Sequence, residues 1–388
     1  MTGTGLKTCW IAALLAMTAW TSQSSAQDVA AGARAWLSGE LQPPELEIDY
    51  NGEPITMRLS SFLSPSIKLV SDVWEPAIKR LEEESNGKIL VKTYYGGTLH
   101  SLPDGFKAVR EGITDFTHCM TAFDPGHFEI MSAVTIPFLF DDASVATMVT
   151  QEVYPEYLKK EYEAQGVYLA HITMTPPYNL LSKKPVTTVD DFKGEKVRIG
   201  GGLQSDVIAS AGGVPLNISS RELYTAYQTG VIDGVVFHDA AFISFRPAEA
   251  GGTRTQLQLL SNGAEYCISK QFFDGLPPSL KPVLDRWMQE LAQAEAQLYY
   301  DGFGVDAREQ MKGMGIESVV PSDDEMKGWK DAVAPAVTKY VADMEASGHD
   351  AGKMVEQMKA LSAEYSQMSS TDRMKQIMNN PVQGIIDY

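Results

Sequence analysis

Basic residues are in short supply in this chain. Thirty-two Lys and Arg stand against fifty Asp and Glu, a formal net charge of −18. A nucleic-acid partner needs a cationic footprint, so that class is excluded, and the dispersed acidity reads as solubility. Cysteine is nearly absent, with 3 in 388 residues, which is too few for a disulfide framework. Histidine is sparse too, and His100, His118, His127, His171, His238 and His349 form no H-E-x-x-H pair. With no C-x-x-C either, no zinc site of familiar spacing is present. The chain lacks a G-x-S-x-G elbow for a nucleophilic serine and a Walker loop. Gly200-Gly201-Gly202 begins a G-x-G-x-x-G pattern, but Ser205 stands where the last glycine belongs, which argues against a nucleotide cradle. Long apolar runs are missing as well: beyond residue 26 no stretch reaches the roughly 20 residues needed to span a bilayer.

What is there begins at the N-terminus. Residues 1–26 carry one charge, Lys7, then an apolar run from Cys9 to Trp20, then Ser24-Ser25-Ala26. This is the pattern of a cleavable secretory signal, and it outweighs the alternative of an N-terminal anchor. Removal of Cys9 with the signal leaves Cys119 and Cys267. An oxidising compartment would let them pair, but nothing in the sequence places them together, and the expectation is two separate, buried thiols.

Residues 27–55 read as a leader with no sustained period, broken at Gln42-Pro43-Pro44. From Thr56 the chain becomes regular. Met57-Arg58-Leu59 predicts a strand. Val70, Val73, Trp74, Ala77, Ile78 and Leu81 then share one helical face, and Asn86-Gly87 ends it. Ile89 to Tyr94 predicts the next strand. Further strands are predicted at 114–119, 166–173, 180–182, 196–199 and 235–237, with helices between them. That rhythm implies α/β layers around a mainly parallel sheet, whose ligands bind beyond the carboxyl ends of the strands. A long helix follows Pro277-Pro278, and the tail from Asp323 to Met378 is helical. Its methionines (Met354, Met358, Met368, Met374, Met378) read as an apolar face, not a soft-metal site. Asp190-Asp191 and Asp323-Asp324 read as caps or solvated turns, since adjacent acids do not share a helix face.

Residues 191–239 read DFKGEKVRIGGGLQSDVIASAGGVPLNISSRELYTAYQTGVIDGVVFHD. This resembles the solute-binding proteins of tripartite ATP-independent periplasmic (TRAP) transporters. Their pattern is matched by Asp191, Lys193, Gly194, Lys196 and Arg198, by Gly213 to Pro215, and by Glu222, Tyr224, Ala226, Gln228, Gly230, Asp233 and Gly234. Tyr95-Gly96-Gly97-Thr98-Leu99, Glu111-Gly112-Ile113-Thr114-Asp115 and Pro137-Phe138-Leu139-Phe140 resemble flanking motifs. The resemblance runs from about Thr56 to Val341, leaving the leader and the tail outside.

The resemblance implies an α/β, two-lobed periplasmic binding protein fold with discontinuous lobes, hinge strands and a long bridging helix. The expected division is residues 56–175 plus 264–303 for one lobe and 176–263 plus 304–388 for the other. It also implies an exported, periplasmic binding protein, not an enzyme, with a small carboxylate ligand and partners in the small and large membrane subunits of a transporter. The family arginine falls at Arg198, where a guanidinium fork grips the ligand carboxylate. The other pocket positions fall at Phe62, Met120, Tyr178, Ser220 and Phe237. Sialic-acid-binding relatives carry polar or charged groups there, including a second arginine at position 178. In this chain the set is mostly apolar, and buried polar groups of a polyhydroxylated ligand would cost roughly 1–3 kcal/mol each if unpaired. The expected ligand is therefore a monocarboxylate with an apolar or aromatic body. His118, His238 and Asp239 read first as structural residues, with a polar contact at the ligand's distal end as the alternative. Keto-acid-binding relatives hold a metal ion after the Asp-Gly pair, where this chain has Val235-Val236-Phe237, so no metal and no cofactor are expected. Dicarboxylate or keto-acid binding, and presentation of the ligand to a membrane sensor, are the alternatives.

Overall fold

The computed structural model describes residues 29–388, so the signal sequence expected at residues 1–26 lies outside the described residues. Eleven strands form two sheets, in the orders β2-β1-β3-β10-β4 and β11-β9-β5-β8-β6-β7. The first contains β1 (Ile55–Ser60), β2 (Ile89–Tyr94), β3 (Phe116–His118), β4 (Tyr168–Met174) and β10 (Gly263–Ile268). The second contains β5 (Asn179–Ser182), β6 (Lys196–Arg198), β7 (Val214–Leu216), β8 (Gly234–Phe237), β9 (Thr253–Thr255) and β11 (Glu317–Val319).

Both sheets are mainly parallel, as expected, and each carries one strand that runs against the rest, β10 in the first and β5 in the second. β1 runs parallel to β2 and β3, and β6 runs parallel to β7 and β8. β10 is antiparallel to β3 and β4, and β5 is antiparallel to β8 and β9. The cause is topological. β5 and β10 each enter their sheet directly from the other sheet, with no crossover helix to turn them parallel.

The chain passes between the sheets at residues 175–178 and 256–262, and again along the long helix. The first two passages lie side by side. Thr175 N–H donates to Asn262 O at 2.8 Å, Tyr178 N–H to Leu260 O at 2.8 Å, and Leu259 N–H to Tyr178 O at 2.8 Å. The third passage starts as the α-helix Lys281–Ala294, becomes π-helical over Glu295–Gly302, and resumes as the α-helix Phe303–Gly313. π-Helical stretches are rare and tend to fall at functional sites. This one presents Tyr299 and Tyr300 in succession.

The helix Lys281–Ala294 buries an unusual row of polar side chains, among them Asp285, Arg286, Gln289, Glu290 and Gln293. Leader and tail supply several of their partners. Arg286 Nη1 donates to Pro44 O at 2.7 Å, Gln289 Oε1 accepts from Val382 N at 2.8 Å, and the Tyr388 hydroxyl donates to Asp285 at 3.3 Å. The leader, which shows no sustained period, nonetheless carries regular structure. Ala31–Leu37 is a two-turn helix that buries Ala33 and Trp36 completely. Its burial comes from tertiary packing, with Ala33 N–H donating to Gln297 at 2.9 Å while Gln297 donates to Ser370 O at 2.8 Å.

The tail helices Ala351–Tyr365 and Ser370–Asn379 pack on the helices Ala143–Val153, Lys281–Ala294 and Ala31–Leu37. They lie with the first sheet, whereas the expected division placed them with the second unit. Met354, Met358, Met374 and Met378 on these helices are all buried. Cys119 and Cys267 form a disulfide, with Cα atoms 5.6 Å apart. This corrects the expectation of separate thiols. β3 and β10 are adjacent antiparallel strands, and Cys267 sits opposite Thr117, so residues 148 apart in sequence become neighbours.

Candidate ligand-binding site

Four parallel-running strands, two per sheet, end at expected site residues. Phe62 follows β1, Met120 follows β3, Arg198 closes β6 and Phe237 closes β8. In each sheet the two strands are hydrogen-bonded neighbours. The carboxyl ends of such strands are where open α/β sheets leave a crevice.

Arg198 stands opposite Leu216 and Val235 in the ladder. Just beyond it Gly202 takes φ +63, a conformation glycine adopts without strain, and the helix Leu203–Ser210 begins. The Arg198 side chain is half-buried. Its Nε donates to Ile218 O at 3.3 Å, and the guanidinium carbon lies 4.2 Å from the ring centre of Phe237. Among the described residues no carboxylate pairs with it. Burial pushes its pKa below the usual arginine value, with the Tyr178 hydroxyl opposing.

Tyr178 meets Phe237 edge-on, with ring centres 5.2 Å apart. Burial raises its pKa to about 12, against the lowering effect of Arg198. Arg198, Tyr178 and Phe237 therefore form one contact group. In the first sheet's half, Phe62 and Met120 are half-buried, and Phe62 meets His118 edge-on at 4.9 Å. Ser220 is half-buried two residues past Ile218, and only that proximity links it to Arg198.

The distal-contact candidates separate clearly. Asp239 is saturated as an acceptor: Arg254 binds it through two nitrogens at 2.7 and 2.8 Å, Arg308 at 3.1 Å and Asn179 at 3.0 Å. Burial alone would raise its pKa, but the Arg254 bond and charge, with Arg308, pull it below the carboxylate range. It is a structural anchor. His118 and His238 are both held neutral, burial pushing each down to about 3, and the Nδ1 atom of each is buried without a partner. Among the described residues no group of three or more His, Cys, Asp or Glu is placed to hold a metal ion.

Three residues escaped the sequence reading. Phe245 lies parallel to Phe237, ring centres 5.8 Å apart and planes 5° apart. Tyr300 meets His238 edge-on at 5.4 Å. Glu265 is buried on β10, accepting from the Thr121 hydroxyl at 3.0 Å while its Oε2 has no partner. The Tyr299-Tyr300 pair ending a long helix was the one signal available for any of them. A separate cavity of about 560 Å³ is lined by Asp142, Asp239, Asp301, Arg254, Arg308 and Arg373, and does not reach Arg198.

The chain matches the family model described as DctP, bacterial extracellular solute-binding protein, family 7, over residues 60–343. It is 25% identical over 304 residues to the C4-dicarboxylate-binding periplasmic protein DctP of Rhodobacter capsulatus, spanning 75% of this chain and 87% of that one. A TRAP periplasmic solute-binding protein of Bordetella bronchiseptica, solved with (R)- and (S)-mandelate, is 27% identical, with a TM-score of 0.72 over 80% of this chain and 99% of that one. A TRAP solute-binding protein of Desulfovibrio salexigens, solved as an open complex, is 24% identical with a TM-score of 0.72, covering 80% and 96%. No helix among the described residues is long and apolar enough to cross a membrane. The chain belongs to solute-binding protein family 7 and is a periplasmic TRAP-type solute-binding protein, a transport component that binds a small molecule and works with membrane subunits, not an enzyme.

Proposed function

We propose that this TRAP solute-binding protein captures a monocarboxylate with an apolar or aromatic body, gripped at Arg198. One observation carries the reading: Arg198 is a half-buried guanidinium with no carboxylate partner among the described residues, seated on Phe237. A buried charge without a counter-ion is costly, and a ligand carboxylate would supply that counter-ion with two parallel N–H···O bonds. Tyr178 and Phe237 beside it offer apolar surface and one phenolic hydroxyl, and Phe62 and Met120 are proposed to add apolar surface from the ends of the first sheet's strands. No second arginine or lysine contacts the Arg198 group among the described residues, which disfavours a dianion. The Bordetella relative solved with mandelate supports an aromatic hydroxy acid as one member of the ligand class. Ser220 is proposed as a minor polar contact near Ile218.

The test is a thermal-shift panel of organic acids, because a ligand that binds only the native state raises Tm by mass action. Benzoate, mandelate, phenylacetate and medium-chain fatty acids are expected to shift Tm, and succinate and sialic acid are not. A shift with succinate alone would replace this reading with dicarboxylate binding.

A further inference from the structure

The ring expected to carry the ligand's body is not free to do so. Phe237 is only 9% exposed. Its ring is met by the Arg198 guanidinium at 4.2 Å, by Tyr178 edge-on at 5.2 Å, by His238 edge-on at 4.8 Å and by Phe245 in parallel at 5.8 Å. Tyr178 is 3% exposed. A ligand ring therefore finds little open face on either. Phe245, by contrast, is 37% exposed. It is an exposed aromatic in direct ring contact with the Arg198–Phe237 pair.

Its placement is built, not incidental. Phe245 ends the helix Asp239–Ser244, and its N–H donates to Ala241 O at 3.0 Å. The next residue, Arg246, takes φ +69 and is locked to Glu249 by two bonds of 2.7 Å. A left-handed non-glycine residue is retained only where its surroundings fix it. This turn holds Phe245 parallel to Phe237.

We infer that Phe245 is a specificity-determining contact that makes this protein select aromatic carboxylates whose ring is separated from the carboxylate by a short chain. The inference rests on the proposed carboxylate clamp at Arg198. A ring attached directly to a carboxylate held at Arg198 stays beside Phe237, whose face is taken. The centre of Phe245 lies 5.8 Å from that of Phe237. A spacer of two or so methylenes carries the ligand ring out to Phe245, where it stacks on exposed aromatic surface. Offset aromatic pairs add to simple area burial, and the methylenes gain burial along the Phe237 edge.

Calorimetric titration of the full processed chain with benzoate, phenylacetate, 3-phenylpropanoate and 4-phenylbutanoate tests this. Wild type is expected to bind 3-phenylpropanoate about tenfold more tightly than benzoate, equivalent to about 1.4 kcal/mol. In Phe245→Ala that ratio is expected to fall to within about threefold, and in Phe245→Tyr to persist. Val320→Ala, at an exposed position after β11, serves as a control expected to keep the wild-type ratio. A ratio near one in wild type, or one that Phe245→Ala leaves intact, overturns the inference while leaving the clamp standing. Failure of all four acids to bind overturns the clamp reading itself. Because the readout is a ratio of affinities, a uniform loss from a purely structural role of Phe245 counts against the inference.

Discussion

The Arg198 guanidinium lies 4.2 Å from the ring centre of Phe237, and the two residues close neighbouring parallel strands. The proposed clamp is thus held in place before any ligand arrives. The aromatic face attracts the cation, the Ile218 carbonyl takes its Nε–H, and the fork's other nitrogens remain to meet a carboxylate. Preorganisation of this kind lowers the ordering cost of binding.

Removing the fork should remove the affinity. Arg198→Ala is expected to cost about 3–5 kcal/mol of binding, the range for breaking a buried charge pair, or roughly two to three and a half decades in Kd. Arg198→Lys should recover little of it, because an ammonium lacks the planar fork. Calorimetry with any acid found in the thermal-shift panel reads both, and near-wild-type binding by the alanine variant would take Arg198 out of the site.

Phe237→Leu keeps apolar volume but removes the ring under the cation. The expected loss is about 0.5–2 kcal/mol of binding, the scale of one cation–π contact, seen as a weaker Kd beside a modest fall in Tm from the smaller buried side chain. A drop in Tm without a change in Kd would assign Phe237 to the core alone.

The disulfide joins strands from distant parts of the chain, directly before Met120. Opening it with reductant, or by a Cys119→Ser, Cys267→Ser double substitution, is expected to cost about 2–4 kcal/mol of stability. Denaturation with and without reductant measures it. A free-thiol assay on the unfolded, unreduced protein should find neither Cys119 nor Cys267 reactive.

Glu265 gives the stability a pH dependence of known sign. Burial raises its pKa from 4.5 to about 7, with Thr121 pulling the other way. A carboxyl whose folded pKa is raised stabilises the fold below its unfolded value, and that contribution is lost as pH rises through the folded value. The window is therefore about pH 4.5 to 7, and the full effect is at most about 3 kcal/mol. Glu265→Gln is expected to gain stability over wild type at pH 8 but not at pH 5. Equal effects at both pH values would mean the carboxyl does not titrate there.

The leader should prove part of the fold. Trp36 is completely buried, and its indole N–H donates to Glu84 at 3.3 Å. Trp36→Ala is expected to destabilise by about 3–5 kcal/mol, measured by urea denaturation. A change below about 1 kcal/mol would mark the leader as a detachable strap.

Much of the frame was legible because it is written in local periods. The face of Val70 to Leu81, the strand Ile89–Tyr94 and the helix after Pro277-Pro278 depend on residues a few positions apart. The family was legible because the motif around Arg198 is contiguous. What escaped depends on contacts across long separations. The two reversed strands, β5 and β10, follow from where each enters its sheet, which no window of sequence records. The Cys119–Cys267 bond needs two strands 148 residues apart to become neighbours. The leader helix Ala31–Leu37 is too short to show a period and is held by Gln297 and the tail. Phe245 carries no motif at all, and its position depends on a left-handed Arg246. A ligand contact stays open for Asp239 in the sequence because its three partners, Asn179, Arg254 and Arg308, are scattered along the chain.

The two side-by-side passages have an evolutionary consequence. The chain leaves the first sheet at Thr175 and returns at Asn262, and those residues are hydrogen-bonded to each other. The segment between them, including Arg198, Phe237 and Phe245, joins the first sheet through that one pair of neighbouring crossings, while β11 and the helix Phe303–Gly313 pack on it. The proposed carboxylate clamp is in effect a cassette whose two ends already touch. Recombination between relatives at those two positions would transplant half of a ligand preference in one event, while the strands bearing Phe62 and Met120 stay behind to be retuned by point substitution.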